Sequence, residues 1–366
     1  MRLTVVGNPD NRRVALFTGA LLAAGLPAPT VLPWVNVLTG AAPPAAGTLV
    51  RVDSPGEDPE VDRLLRRAAT PARHGELIGL ADTYAGLVDA LGRIAAGGAI
   101  LLNPPRDVAV LCDKRRCHAL LSAAGVPVPA ALPPVRGYAG LREAMTAAGW
   151  SRVFVKPAHG SSAAGVIALA VGPRGVQAVT TVEATPDGLF NSLRLRHYRD
   201  EAEIAGIVDR LAPDGLHVER WLPKAGLRDR VVDLRVVVIA GRPTHAVVRA
   251  ARGPLTNLHL GNARGDLAEL RAAAGAAAWS AAMETCERVA ACFPTSLHVG
   301  VDLMFLVGWR RHAVAEVNAF GDLLPGVLAG GRDTYAEQVH ALTGGGWERW
   351  RAAAGPVARE VAPCGV

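Results

Sequence analysis

Residues 153–171, VFVKPAHGSSAAGVIALAV, place Lys156 at the end of one apolar strand, before a loop of very small residues and a second apolar strand. A charge among Val and Phe side chains is costly unless its ammonium reaches an anion at the end of the strand. The loop from Gly160 to Gly165 carries little side-chain bulk, so its backbone N–H groups can close over a ligand with many acceptor oxygens. The stretch therefore predicts a β-hairpin that binds phosphate.

The composition limits the fold and the location of the protein. A chain of 366 residues is long enough for two or three domains. None of its apolar runs approaches the roughly 20 residues that span a bilayer, and Met1–Gly7 begins as a strand without the features of a signal peptide. We therefore expect a soluble cytoplasmic protein with no membrane partner.

Charge and cysteine spacing exclude further classes. The formal net charge of +6 is spread thinly, and basic residues do not alternate with aromatics, which argues against a nucleic-acid partner and leaves a preference for anions. The cysteines are odd in number and form no CxxC pair, so we expect neither a zinc site nor a disulfide framework. They are Cys112, Cys117, Cys286, Cys292 and Cys364.

Element signals divide the chain into an N-terminal α/β part and two further parts. The strand LTVVG, the loop GNPDNRR and the apolar stretch VALFTGALLAAG open an α/β unit. A helix with Cys117, Leu120, Leu121 and Ala124 on its apolar face follows Asp113 and ends at Gly125. A polar helix from about Arg199 to Leu211, strands from His217 onward, a helix through AWSAAMETCERVAACF and a final hairpin come later. We predict domains over residues 1–110, 111–215 and 216–345, and a tail over 346–366.

The final hairpin places two carboxylates opposite each other. In VGVDLMFLVGWRRHAVAEVNAFGD, pairing about position 309 sets Asp302 against Glu316, and Asn318 follows on the same face. Like charges in direct opposition cost stability, and a cation that both ligate removes this cost. The carbonyl of Asn318 completes an oxygen set suited to magnesium. The alternative is a solvated strand end whose register is slipped by one residue.

A second hairpin, DLRVVVIAGRPTHAVVRAAR, brings two arginines together. Pairing about Gly241 and Arg242 places Arg235 near Arg249, and a bound phosphate or carboxylate would relieve their repulsion. The alternative is an exposed sheet edge on which each arginine meets an acid such as Asp233. A small-residue loop with a lysine, a magnesium site and an arginine pair in one chain favour phosphoryl chemistry.

An ordered series of segments covers about residues 103–327 and comprises DK at 113–114, GVPVP, VFVKPAHGSSAAGV, HVERWL, DLRVVVIAG, TNLHLGN, GVDLM and AEVN. This series resembles the ATP-grasp ligases, in particular the branch of glutathione synthetase and the ligase that adds glutamate to a ribosomal protein. The resemblance implies an α/β (α+β) ATP-grasp fold behind an N-terminal Rossmann-like pre-ATP-grasp domain. It implies an ATP- and Mg-dependent carboxylate–amine ligase, in which a carboxylate takes the γ-phosphate and an amine captures the acylphosphate.

The same resemblance assigns the site residues. The phosphate lysines are Lys114 and Lys156, and the mobile lid loop contains Gly160, Ser161, Ser162 and Gly165. The adenine hinge is Glu219, Arg220, Trp221 and Leu222. The metal ligands are Asp302, Glu316 and Asn318, and the residues that face the transferred phosphate and the acyl substrate are Arg235, Arg249 and Asn257.

The implied cofactors are ATP and Mg²⁺, with two ions expected and Mn²⁺ as an alternative. The implied partners are small-molecule or peptide carboxylates and amines, and a homo-oligomer is left open. A kinase of the same fold that stops at a phosphorylated hydroxyl is an alternative with the same ATP site. A non-catalytic nucleotide-binding module is a second alternative, although it would be expected to have lost metal ligands or lysines.

Individual residues also have alternative roles. Lys114 could be a surface residue, Glu219 a strand-edge acid, and Trp221 with Leu222 part of the core. GSSAAG misses the GxSxG pattern of a serine hydrolase, and GxxxxGK[ST] and GxGxxG are lacking.

Two segments fit the resemblance less well. AFGDLLPG, residues 319–326, is longer than the family's turn and carries Phe320 and Asp322, which leaves the nucleophile undefined. In GNPDNRR, the strand end favours substrate binding by Asn11, Arg12 and Arg13, and Asp10 is a candidate helix cap.

Overall fold

The N-terminal part of the chain is a parallel sheet with helical crossovers. In chain order its elements are β1 (Leu3–Val6), α1 (Arg12–Ala23), β2 (Thr30–Leu32), α2 (Trp34–Leu38), β3 (Leu49–Val52), α3 (Pro59–Leu65), α4 (Leu80–Ala95) and β4 (Ile100–Leu101). The strand order is β2-β1-β3-β4, and all three pairings are parallel. Helices are the usual connections of parallel strands, as the opening strand, loop and helix predicted. The computed structural model describes residues 2–161 and 163–353.

The middle of the chain is an antiparallel sheet with its own helices. Its elements, with the helices that precede it, are α5 (Pro105–Leu111), α6 (Lys114–Ala123), α7 (Tyr138–Ala147), β5 (Arg152–Pro157), β6 (Ile167–Gly172), β7 (Gly175–Thr185), β8 (Gly188–Tyr198), α8 (Glu201–Leu211) and β9 (Leu216–Arg220). The order β8-β7-β6-β5-β9 confirms the predicted hairpin, which is β5 and β6. The sequence analysis missed β7 and β8, whose register shifts between Thr180 and Val182. We call this sheet the lid sheet.

The remaining residues form a second antiparallel sheet, which we call the C-terminal sheet. Its elements and the helices that follow are β10 (Gly226–Leu227), β11 (Arg230–Ile239), β12 (Arg242–Ala251), β13 (Ala263–Gly265), α9 (Leu267–Ala291), β14 (His298–Phe305), β15 (His312–Asn318), α10 (Thr334–Thr343) and α11 (Gly346–Ala353). The order is β13-β12-β11-β14-β15, with β10 on β11. Because β14 lies between two strands under α9, all eight of its residues are buried.

Three details of the helices differ from the sequence prediction. Asn11, not Asp10, caps α1, because its side chain accepts a hydrogen bond from the Arg13 N–H. In α6, Leu120 was expected on the buried face but is 36% exposed. Helix α9 begins earlier than predicted, and its helical geometry is broken at Gly275, where φ is +77°.

The hydrophobic cores separate the lid sheet from the other two sheets. One core contains Val50 of β3 together with Val236 of β11 and Val301 of β14, so the N-terminal and C-terminal sheets share apolar contacts. The lid sheet has a separate core around Val155 and Ile207. The predicted domain limits and the Rossmann-like assignment stay predictions. Within the described residues no helix combines the length and apolarity needed to cross a bilayer.

Two glycines of α4 allow a matched test of this packing. A Cβ at Gly86 would lie 2.1 Å from the Leu65 carbonyl oxygen, whereas one at Gly92 would meet nothing within 4 Å. We expect Gly86→Ala to lower the free energy of unfolding by about 1–3 kcal/mol, because the α3 backbone would have to move. Gly92→Ala should raise it by up to about 1 kcal/mol. Urea unfolding of both variants tests the contact, and equal effects would contradict it.

Candidate active site

An open cleft lies between the lid sheet and the C-terminal sheet. The cleft brings together most of the residues predicted for the phosphates, the metal and the substrate. Those that line it are Lys114, Lys156, Gly160, Ser161, Glu219, Arg249, Asn257, Asp302 and Glu316. Those outside its lining are Gly165, Arg220, Trp221, Leu222, Arg235 and Asn318. Ser162 lies outside the described residues.

Lys156 is buried and bound by a carboxylate. It lies on β5, its Nζ is 2.5 Å from Oε1 of Glu219 on β9, and it donates to the Ala315 carbonyl of β15 at 3.3 Å. Burial disfavours the charge of Lys156, but Glu219 and Glu316 outweigh it and raise the pKa. Burial likewise opposes ionisation of Glu219, yet Lys156 and His217 lower its pKa to about 2. Both groups are therefore charged at neutral pH.

Lys114 also points into the cleft. It occupies the first turn of α6, where Asp113 caps the helix by accepting from the N–H groups of Arg115 and Arg116. Its Nζ lies 3.1 Å from Oε1 of Glu316 and donates to the Gly160 carbonyl. The side chain is only 12% exposed, so Lys114 is not a surface residue.

The hairpin of β14 and β15 has the predicted register. Asp302 pairs with Glu316 and Gly300 with Asn318, with a shift after Asp302. The two carboxylates are nevertheless neutralised separately, because Arg235 and Arg249 bind Asp302 whereas Lys114 binds Glu316. Burial opposes the charge of Asp302, but these two arginines lower its pKa.

The hairpin of β11 and β12 brings the two arginines close together, as predicted. Arg235 pairs with Val247, so Arg249, two residues further on, is its diagonal neighbour on the same face. Both guanidinium groups donate to Asp302. Each arginine therefore meets an acid, as the alternative had it, although Arg249 is buried and the site is not an exposed sheet edge.

A connected charge network extends from this hairpin. Asp233 accepts from Arg249 Nε at 2.6 Å through one oxygen and from Lys224 Nζ at 2.8 Å through the other. Lys224 also donates to Thr256 Oγ1 at 2.7 Å. Arg249 continues the network to Oδ2 of Asp302 at 3.2 Å. These contacts join β12, β11 and β14 on the face that lines the cleft.

Sequence reasoning missed Lys224 and Thr256 and gave Asp233 no role in the site. Asp233 could have been found, since it lies two residues before Arg235 and so shares its strand face. Lys224 and Thr256 carry no local signal, because their partners lie elsewhere in the chain.

The cations in and beside the cleft outnumber the carboxylates by one. The five cations are Lys114, Lys156, Lys224, Arg235 and Arg249, and the four carboxylates are Glu219, Asp233, Asp302 and Glu316. Every one of these cations contacts one of these carboxylates within 4.0 Å. A ligand of several negative charges would therefore need a cation of its own to keep the cleft close to neutral.

The oxygen donors fit a metal that is bound together with a ligand. Among the residues that the structure describes, no group of three or more His, Cys, Asp or Glu side chains is arranged to hold a metal ion. Asp302, Glu316 and the amide of Asn318 provide only three side chains at one edge of the sheet. Mg²⁺ is commonly held by one or two carboxylates plus phosphate oxygens, so this donor set fits Mg²⁺ with a polyphosphate.

Three residues of the predicted hinge do not line the cleft. Trp221 packs on Phe154 with ring centroids 5.2 Å apart, and Leu222 packs beside Met304. Arg220 is exposed and lies over the ring of Trp150. Of the four side chains of the predicted hinge, only that of Glu219 lines the cleft.

The two segments of undefined role meet in a buried ion cluster. Asp322, from the 319–326 segment, accepts from Arg13 at 2.7 Å and from Arg51 at 2.7 Å. Gln338 of α10 donates to it at 3.0 Å. The GNPDNRR segment is therefore tied to the residues that follow β15 and its predicted metal ligands.

Comparison with known proteins identifies the fold. Neither a protein-family model nor a curated protein matches the sequence. The ATP-grasp ligase PsnB, solved with a minimal precursor, superposes with a TM-score of 0.54 at 18% identity and covers 94% of this chain and 99% of its own. The chain has an ATP-grasp fold. The predicted ATP-grasp fold is therefore confirmed.

Two further structures share the ATP-grasp architecture of this chain. D-cycloserine synthetase DcsG has a TM-score of 0.56 at 16% identity over 96% of this chain and 100% of its own. The macrocyclase MdnC, bound to precursor peptide MdnA from Microcystis aeruginosa MRC, has a TM-score of 0.54 at 12% identity over 94% of this chain and 100% of its own. At such identities the likeness concerns the fold.

The Lys156–Glu219 pair predicts a pH dependence of stability. Because the pKa of Glu219 is lowered from an ordinary 4.5 to about 2, its ionised form stabilises the fold above pH 4.5, and this contribution is lost as the pH falls towards 2. Glu219→Gln should lower the free energy of unfolding at pH 7 by about 3–5 kcal/mol, since it leaves a buried ammonium without its partner. It should also flatten the pH dependence below pH 4.5.

Urea unfolding between pH 7 and pH 3 measures both effects. Glu203→Gln, at an exposed position of α8, is the matched control and should keep the wild-type profile. A Glu219→Gln profile parallel to that of the wild type would contradict the pairing.

Proposed function

We propose that the protein is an ATP- and Mg²⁺-dependent carboxylate–amine ligase that forms an amide or peptide bond through an acylphosphate. The proposal is supported chiefly by one observation. In the cleft of this ATP-grasp fold, three lysines and Arg249 are each paired with an acid. Polyphosphates are bound by such cations, and phosphoryl transfer depends on positioning and charge stabilisation more than on covalent chemistry.

The cleft residues divide the work of binding. Lys114 and Lys156 bind the phosphate chain, and the lid loop 160–165 closes over it with backbone N–H groups. The hinge at 219–222 binds adenine through its backbone, because the side chains of Trp221 and Leu222 are used in packing. Arg235, Arg249 and Asn257 face the transferred phosphate and the carboxylate that receives it.

Asp302, Glu316 and Asn318 would hold the metal, and Mg²⁺ there would supply positive charge against the phosphates and against the charge that develops during transfer. Two ions and the use of Mn²⁺ in place of Mg²⁺ are part of this proposal. The acids must release their present partners for this to happen, and the freed Lys114 and Arg249 then meet phosphate oxygens. Nucleotide and metal therefore replace contacts that the protein already makes.

The substrates are proposed from the neighbours with the same fold. PsnB and MdnC were solved with precursor peptides, and DcsG is a synthetase of a small molecule. The carboxylate and amine substrates of this chain are therefore small molecules or peptides. The cytoplasmic location, the homo-oligomer and the lack of a nucleic-acid partner stay predictions.

Product analysis tests the reaction type. The protein is incubated with Mg·ATP and pools of carboxylic acids and amines, and ADP, phosphate and products are measured. Amine-dependent release of both ADP and phosphate supports the ligase. A stable phosphorylated product indicates the kinase, and nucleotide binding without turnover by any pool indicates the non-catalytic module.

The metal assignment predicts the effect of Glu316→Gln. Loss of this carboxylate should reduce ATP turnover by roughly 100-fold or more, because a metal ligand is removed. The fold should persist, which circular dichroism checks. Glu348→Gln, at an exposed position of α11, is the control with full turnover. Normal Mg-dependent turnover by Glu316→Gln would rule out the assignment.

The phosphate assignment predicts the effects of two changes at Lys156. Lys156→Ala should weaken ATP binding about 10–100-fold, because one charge-assisted hydrogen bond is lost. Turnover should fall further, since stabilisation of the transition state is lost as well. Lys156→Arg should restore little, because a planar fork does not replace a compact ammonium.

Calorimetric titration of ATP measures these affinities. Arg174→Ala, in the exposed turn between β6 and β7, is the control for a lost surface charge. Unchanged ATP affinity in Lys156→Ala would remove the phosphate assignment.

A further inference from the structure

The distribution of lysine singles out one further residue. The chain holds 39 Lys and Arg residues, of which only three are lysines: Lys114, Lys156 and Lys224. All three line the same cleft. Arginine occupies every other Lys or Arg position, so all the compact ammonium groups of the chain are gathered in this cleft. Two of the three are the phosphate lysines of the proposed function.

The contacts of Lys224 leave part of its ammonium for a ligand. Its side chain is 11% exposed, and Nζ donates to Oδ2 of Asp233 and to Oγ1 of Thr256. An ammonium has three N–H donors, so one donor remains beyond these two contacts. Because Lys224 lines the cleft, this remaining N–H group is available to a ligand bound there.

The surroundings of Lys224 resemble those of the other two lysines. Each cleft lysine is more than four-fifths buried and holds a carboxylate at 2.5–3.1 Å. Asp233, the partner of Lys224, also binds Arg249, and Arg249 reaches Asp302. Lys224 therefore belongs to the same charge network as the predicted metal ligand.

We propose that Lys224 is a third phosphate-binding lysine, which contacts the polyphosphate of the nucleotide from the side of the cleft formed by β11 and β12. The proposal rests on the function proposed above. Asp233 and Thr256 hold the ammonium in place, and the loop that carries Thr256 and Asn257 is thereby fixed beside the phosphates. The network retains Asp233 paired with Arg249 when Lys224 is replaced, so the fold is expected to survive the change.

Three variants test the contact by calorimetric titration of Mg·AMP-PNP. Lys224→Gln keeps a hydrogen-bond donor for Asp233 but removes the charge, and it should weaken binding about ten-fold. Lys224→Arg keeps the charge on a longer fork and should remain several-fold weaker than wild type. Arg66→Met is the matched control, since Arg66 is an 8% exposed cation paired with Asp62 in α3, outside the cleft.

The outcomes separate a ligand contact from a structural ion pair. A structural pair predicts that Lys224→Gln, like Arg66→Met, changes the urea midpoint but leaves the affinity for Mg·AMP-PNP within two-fold of wild type, and this result would overturn the proposal. Adenosine supplies a further arm, because its affinity should not change if the contact is with phosphate. Wild-type protein that fails to bind Mg·AMP-PNP would instead refute the proposed function itself.

Discussion

The ion pair between Lys156 and Glu219 is the contact around which the cleft is organised. It places two full charges between β5 and β9, and the same ammonium reaches a carbonyl of β15. Lys156 therefore connects the lid sheet, which has its own core, to the C-terminal sheet. Taking charges out of water is costly, and the cost is offset only when each charge keeps a close partner. Every cation of the cleft satisfies this condition with a carboxylate.

This pairing constrains which ligands the cleft can accept. A polyphosphate alone would add negative charge and compete with the acids for the same cations. A metal ion alone would meet acids that arginines and a lysine already neutralise. Both together would be accommodated by an exchange of partners, in which the carboxylates would hold the metal and the cations would bind the phosphates. We infer that the charge pattern selects the combination over either component, which is the electrostatic requirement of phosphoryl transfer.

The sequence predicted those features that depend on local pattern. The register of Asp302 with Glu316 follows from two alternating strands joined by a short turn, and the buried position of Lys156 follows from its apolar neighbours. The closeness of Arg235 and Arg249 follows from alternation in the same way. The acid that both arginines bind, Asp302, lies on β14, and spacing within the β11–β12 hairpin holds no information on that contact.

Long-range contacts account for the rest of what the sequence could not supply. The acid that holds Lys156 lies on a strand 60 or more residues further along, and Asp322 meets Arg51 across 271 positions. An acidic residue can be a metal ligand, a partner of arginine or a surface group. The strands that the fold brings together decide which of these roles it has. The ordered series of motifs located the cleft, but only the fold showed that its charges are paired.

Linked titration measures directly whether the cleft selects metal and nucleotide together. Mg²⁺ and AMP-PNP are each titrated alone by calorimetry, and AMP-PNP is then titrated at saturating Mg²⁺. The account predicts weak binding of either alone and an affinity for AMP-PNP that rises at least about ten-fold with Mg²⁺, as a coupling of more than 1.4 kcal/mol requires. Because free AMP-PNP itself binds Mg²⁺, the same series is run with Glu316→Gln, which should abolish most of the rise. Equal affinity with and without Mg²⁺, or an undiminished rise in the variant, would contradict the account.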